Sequence, residues 1–427
     1  MRSSRDIARV TCSTSPSLFS RAVAILMTTV VTVSCGQPSA QTVPAARPQN
    51  REGRSYFLLF DQGMLDLPTV TRPLIRRQLD FLNGTPYDGV AFPLFPYPPA
   101  YWDGPIPSQE ELQRAVGVLK ERFKKDAWPV VYLNPIVEQF QYNRTYKSEI
   151  FRAIRGLALG PDERPRANFL EVWRRAARLA QETRSPGILF DPEYYNLATP
   201  ARARGSEFVY SLAFMAKRRG EPEELIQRGL IRLGNDMADA LNQEFPEAQV
   251  LMLFTGMSYV NAMNTPYGKG RTETVEILTR AMLDRALEMD YKFVILEGGE
   301  TDIFYFNRGP EALLKRMEWR DRRMKPWRER YGSRLKLAAP FSPWVDETRI
   351  TGWLAQGQRG NGRPFRQFSD FKPMFDLLFR AYPLVWLYPQ SSDVAFTLEP
   401  AEGPREFNRL FRQLFPDRFP TKVKLGD

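Results

Sequence analysis

The chain has 427 residues, 43% hydrophobic and 13% aromatic, enough to bury a large core, and a formal charge of +11 from 60 Lys+Arg against 49 Asp+Glu. It contains no histidine, which excludes Ser-His-Asp triads, Cys-His dyads, imidazole bases and the usual zinc sites. Chemistry in this chain falls to carboxylates, tyrosines, lysines or arginines.

The first 35 residues have the form of an export signal. Arg2, Arg5, Arg9 and Arg21 precede the apolar run AVAILMTTVVTV (22–33), which is short for a membrane span. TVSC (32–35) followed by Gly36 resembles a lipoprotein signal site, in which Cys35 would be lipidated and tether the protein to a membrane. Cleavage near Ala40 without lipidation is the alternative. The only other cysteine is Cys12, so the part beyond the leader carries no intramolecular disulfide. Residues 36–54 are polar and Pro-containing and read as a flexible tether.

From residue 55 to 427 a single domain is expected, because apolar runs of strand length alternate with longer helical patterns and no composition break intervenes. Eight strands are predicted: SYFLLFD (55–61), YDGVAFP (87–93), WPVVYLN (128–134), GILFDPE (187–193), AQVLMLFT (248–255), YKFVILEG (291–298), RLKLAAP (334–340) and PLVWLYP (383–389). Their near-continuous hydrophobicity is that of strands buried on both faces. Helices are predicted over 108–125, opened by a capping box from Ser108 to Glu111, and over 168–183, 224–245 and 272–289. Eight such units fit a (β/α)8 TIM-type barrel. The Arg- and Trp-rich stretch 315–334 interleaves both signs of charge. It reads as an amphipathic helix with a solvated basic face, so nucleic acid is not an expected partner.

In a barrel of this kind function gathers at the C-terminal ends of the strands. Here those ends carry acidic and aromatic residues: Asp61 after strand one, Trp102 in the Pro-rich loop after strand two and Asn134 after strand three. Asp191, Glu193, Tyr194 and Tyr195 follow strand four, Tyr259 follows strand five, and Glu297, Glu300 and Asp302 follow strand six. Aromatic faces and carboxylates together suit a poly- or oligosaccharide, and a pair of carboxyls can cleave a glycosidic bond. Asp191 and Glu193, at i and i+2 on a strand, point to one side, and their mutual repulsion would hold a proton on one of them. Asp191-Pro192 could equally open an ordinary turn. On the catalytic reading Glu193 is the general acid, tuned by Asp191, and Glu297 is nucleophile or base. Asp61, Asn134, Tyr194, Tyr195, Tyr259, Glu300, Asp302 and Trp102 would contact substrate. No cofactor and no metal is expected. Two alternatives stand beside this one: a non-catalytic glycan-binding or envelope scaffold on the same barrel, and a basic surface that binds an acidic polymer.

GILFDPEYYN (187–196), FVILEGGETDIFYF (293–306) and YDGVAFP (87–93) resemble a group of uncharacterised secreted bacterial (β/α)8-barrel proteins that look like glycoside hydrolases, along most of residues 55–415. A looser likeness is to the chitinase family, whose fourth strand ends in D-x-x-D-x-D-x-E. Asp191 and Glu193 match its last two acidic positions, whereas Pro186 and Leu189 stand in place of the earlier aspartates. The resemblance implies a barrel with an acid at the end of strand four.

Overall fold

A computed structural model of the chain describes residues 54–60, 79–80, 82–93, 106, 108–132, 164–192, 212, 216, 220–257, 273–300, 309–341, 371–387 and 411–418. Nine parallel strands run through them: β1 (Tyr56–Phe60), β2 (Gly89–Pro93), β3 (Asp126–Tyr132), β4 (Gly187–Asp191), β5 (Gln249–Met252), β6 (Val294–Glu297), β7 (Leu335–Leu337), β8 (Ala339–Phe341) and β9 (Leu384–Leu387). Their order is β7-β6-β5-β4-β3-β2-β1-β9-β8. Since β1 pairs with β9, the first and last strands meet, and the sheet curls toward closure at β7 and β8.

The closing stave corrects the expected strand count in form only. The predicted seventh strand is one stretch, Leu335–Phe341, cut in two at Ala338. Its first half pairs with β6 (Glu297↔Leu337) and its second with β9 (Ala339↔Val385). The Ala338 amide donates to the Glu297 carbonyl at 2.8 Å, which carries the β6 contact to the point of division. All eight predicted strands are present, and the sheet is an α/β barrel.

Helices α1 (Gln109–Arg122), α2 (Arg164–Glu182), α3 (Glu223–Glu244), α4 (Glu273–Glu288), α5 (Pro310–Tyr331) and α6 (Lys372–Ala381) follow strands β2, β3, β4, β5, β6 and β8 in the chain. The capping box predicted for α1 is formed. Ser108 Oγ accepts the Glu111 amide at 3.2 Å, and Glu111 Oε2 accepts the Ser108 amide at 2.7 Å. The apolar face of α2, Phe169, Val172, Trp173, Ala176, Ala177 and Ala180, is fully buried, as its periodicity requires.

Helix contacts tell which strand residues face outward. Phe190 of β4 meets Trp173 edge-on at 5.3 Å, Thr279 of α4 donates to the Met252 sulfur at 3.7 Å, and Phe57 of β1 meets Phe379 of α6 at 5.3 Å. Phe341 of β8 lies 4.2 Å from Phe375 of α6. Side chains alternate along a strand, and registered neighbours in a parallel sheet share a side. Phe60, Tyr132, Leu189, Asp191, Leu251 and Trp386 therefore point into the barrel. Phe60 and Trp386 touch there, centroids 6.1 Å apart.

At the N-terminal end of the barrel, charge is paired off locally. Asp88 accepts from Arg54 at 2.6 Å and from the Phe57 amide at 2.8 Å. Tyr56 donates to Asp126 at 2.8 Å and accepts from the Trp128 indole at 3.0 Å. Lys125 donates to the Thr85 carbonyl at 2.9 Å and also to that of Tyr87. Residues 411–418 close this end: Phe411 stacks on Phe57 at 5.3 Å, and Arg418 lies 3.5 Å over the Phe379 ring and donates to the Ser55 carbonyl.

Candidate active site

Asp191 is the last residue of β4 and only 1% exposed. Because Phe190 faces α2, Asp191 faces the interior, at the C-terminal mouth. Its registered neighbour on β3 is Tyr132, itself 4% exposed and turned the same way. Tyr132 was not singled out in the sequence, where Asn134, two positions later, looked like the end of the strand. The signal that finds it is the register, which no single strand carries.

Glu297 ends β6, but it lies on the other side of the sheet. It is registered with Met252, which faces α4, so its carboxylate points away from the interior. There it is wholly buried and engaged. Oε2 accepts from the Thr255 amide at 2.7 Å and from the Thr255 hydroxyl, while Oε1 accepts from the Gly299 amide at 2.9 Å. Arg320 of α5, equally buried, stands 3.7 Å from Oε1. Its guanidinium also donates to the Glu297 carbonyl at 2.6 Å and to that of Ala338. One buried ion pair thus joins the exits of β5 and β6, the closing stave and an outer helix. Asp191 and Glu297, which the sequence suggests as partners in one site, are on opposite faces of the barrel wall.

The two glycines after Glu297 have structural reasons. A Cβ on Gly298 would stand 2.5 Å from the Met252 carbonyl oxygen. Gly299 has φ +75°, and a Cβ there would meet the Arg320 guanidinium carbon at 2.6 Å. The Gly298 carbonyl accepts from the Trp386 indole at 2.9 Å, so the interior tryptophan reaches across to the end of β6. Glu300 follows, half-buried, with its amide donating to the Leu253 carbonyl at 3.0 Å.

The other residues suggested by the sequence, Asp61, Trp102, Asn134, Glu193, Tyr194, Tyr195, Tyr259 and Asp302, lie outside the described residues, as does Cys35. Among the described residues no group of three His, Cys, Asp or Glu side chains could hold a metal ion, and no helix is long and apolar enough to cross a membrane.

No protein-family model matches the chain, and no curated protein matches its sequence. Several solved structures resemble it at low identity. The catalytic domain of a beta-amylase from Paenibacillus polymyxa is 11% identical over 83% of this chain and 97% of its own, with a TM-score of 0.41. An endo-glycoceramidase II from Rhodococcus sp. is 12% identical over 84% and 78%, with a TM-score of 0.42. A sugar phosphate isomerase/epimerase from Parabacteroides distasonis is 9% identical over 89% and 100%, with a TM-score of 0.35.

Proposed function

We propose that this barrel binds a poly- or oligosaccharide at its C-terminal mouth and hydrolyses a glycosidic bond with carboxyl groups alone. The observation that carries this reading is Asp191. A carboxylate buried inside a barrel is costly, and this one stands at the end where barrel enzymes work. It is flanked by Tyr132, in a chain without histidine. Glu193, two residues on, is the general acid of the reading and Asp191 its neighbouring charge. Phe60, Tyr132 and Trp386 give the interior near the mouth an aromatic character that suits the C–H faces of a sugar. With the export signal read from residues 1–35, the place of action is the cell envelope or its exterior, and lipidation of Cys35 would fix the protein to a membrane.

The test is release of reducing ends from a panel of glucan, xylan, mannan, chitin and peptidoglycan fragments by the purified protein and by Glu193→Gln and Asp191→Asn. A general acid contributes about 10²–10⁴-fold, so losses of that size in folded variants are expected. Saturable binding with no cleavage by the native protein would instead assign it the role of a glycan-binding envelope protein.

A further inference from the structure

Helix α5 carries two tryptophans in different settings. Trp327 is built into the seam with α4: it packs against the core, Arg280 lies 5.4 Å over its ring, and Tyr331 stacks beside it at 6.4 Å. Trp319 is half-buried, and its ring is met from its own helix, by the Arg323 guanidinium at 4.6 Å. On a helix the side chains three and four places away are the neighbours of a ring. For Trp319 these are Lys315, Arg316, Arg322 and Arg323, all cationic. Lys315, Arg316 and Arg322 are exposed.

Elsewhere on the outer helices a cation is met by an acid four places away, as Arg114 by Glu110, Arg175 by Glu171 and Lys372 by Asp376. Around Trp319 that pattern thins. Lys315 has Glu311 at 3.0 Å, an exposed pair and therefore a weak one. Glu318 stands four places before Arg322, yet no ion pair joins them. Glu311, Glu318 and Glu329 share a neighbouring stripe of the helix and leave the tryptophan stripe basic. Like charges at these spacings repel, and an anionic chain lying along them would relieve the repulsion. Arg320, the next residue after Trp319, turns inward and donates to the Glu297 carbonyl at 2.6 Å, at the exit of β6. Trp319 is therefore near the level of the barrel mouth, and Lys315 and Arg316 lie roughly 4–6 Å further toward it.

We propose that this stripe of α5 is a surface site for an acidic polysaccharide, with Trp319 as the platform for a sugar ring and Lys315 and Arg322 as partners of its carboxylate or sulfate groups. The proposal rests on the saccharide part of the reading above and not on hydrolysis. An aromatic face takes the C–H side of a sugar while the flanking cations hold its charged groups. The net charge of +11 draws such a chain in from a distance. A saccharide fits better than a nucleic acid because the stripe is the outer side of one helix with one ring. Single strands are held in basic grooves that offer rings to successive bases.

The experiment measures binding of the full-length protein to polygalacturonate, alginate and chondroitin sulfate, with neutral dextran and single-stranded DNA as contrasts, at low and at physiological ionic strength. Saturable binding of at least one acidic polysaccharide is expected, weakening steeply with salt, with none of dextran. Trp319→Ala should weaken that binding about tenfold, the scale of one stacked ring, and Trp319→Phe should restore most of it. Arg322→Gln should weaken it about two- to fivefold and flatten its salt dependence. Thermal unfolding checks that each variant folds. Failure to bind any of the three, equal binding of dextran, or native affinity in folded Trp319→Ala overturns the assignment. Single-stranded DNA bound more tightly than the polysaccharides, and lost in the same variants, overturns it in favour of a nucleic-acid surface. Cleavage of a short neutral oligosaccharide should be unchanged in Trp319→Ala and Arg322→Gln. Loss of this surface thus leaves the hydrolysis reading standing, and a protein that binds here and cleaves nothing leaves this one.

Discussion

The charged groups at the two ends of the barrel tie different parts of the chain together. At the N-terminal end, each charged group described is matched beside its own strand: Asp88 by Arg54 and the Phe57 amide, Asp126 by Tyr56, and Lys125 by two carbonyls. At the C-terminal end, Asp191 is turned into the interior, and the Glu297–Arg320 pair lies behind the wall and ties four segments together. Charges at the first end hold the strands they sit on. The Glu297–Arg320 pair at the second holds the turns that follow β5 and β6 to the closing stave and an outer helix. The difference lies in what the charges join and not in residue type, since both ends use carboxylates and cations.

The comparison breaks most readily at Arg320. Arg320→Met leaves Glu297 buried without its cation, and an uncompensated buried charge costs about 3–5 kcal/mol. Urea unfolding should show a loss of that size, partly recovered in the double variant with Glu297→Gln. If the single variant costs under about 1 kcal/mol, the pair is not what holds the mouth.

Lys125 tests the other end. Burial lowers its pKa to about 8, although the neighbouring Asp88 pulls the other way. In the unfolded chain it titrates near 10.4, so between these values the unfolded state binds more protons and stability rises with pH. The full difference is roughly 3 kcal/mol. The tyrosines oppose it above about pH 10, since burial raises Tyr56 and takes Tyr331 up to about 12, and such groups lose stability as pH rises. Unfolding measured from pH 7.5 to 9.5 should show the rise in the native protein and a flat profile in Lys125→Met, with glycan cleavage per folded molecule unchanged at a fixed pH.

Gly299→Ala should cost at least about 1–2 kcal/mol in the same urea unfolding, the price of left-handed backbone for a residue with a Cβ. The smallest change is expected at Ser108→Ala, which removes half of the α1 capping box for about 1 kcal/mol in thermal unfolding.

Much of this architecture was legible in the sequence, because a parallel barrel writes its strands as short apolar runs and its helices as 3.6-residue stripes. The eight runs and the α2 face needed only local information. The split of the seventh strand at Ala338 was not legible, because it depends on which neighbour each half meets. The placing of Glu297 failed for a related reason. Following FVIL, it looked like Asp191 following GILF, yet the two strands end one residue out of phase. Asp191 follows the outward Phe190, whereas Glu297 is itself registered with the outward Met252. A shift of one residue exchanges the faces of a strand. Arg320 was hidden in a helix whose other cations gave every appearance of a solvated surface; only its burial sets it apart. The GG of EGGE carries no local mark of the guanidinium that requires Gly299.

The pairing of β1 with β9 has a consequence for how the chain is made. Tyr56 is registered with Leu384, so more than three hundred residues must emerge before the first strand acquires its second neighbour. Until then β1 presents an unpaired edge of five apolar residues, of the kind that recruits other chains, and so distant a contact is slow to form. Completion waits further, for Phe411 to cover Phe57 and for Arg418 to reach Ser55. Chains that stop before residue 384 lack the strand that covers this edge, and should be the species that aggregate or engage chaperones.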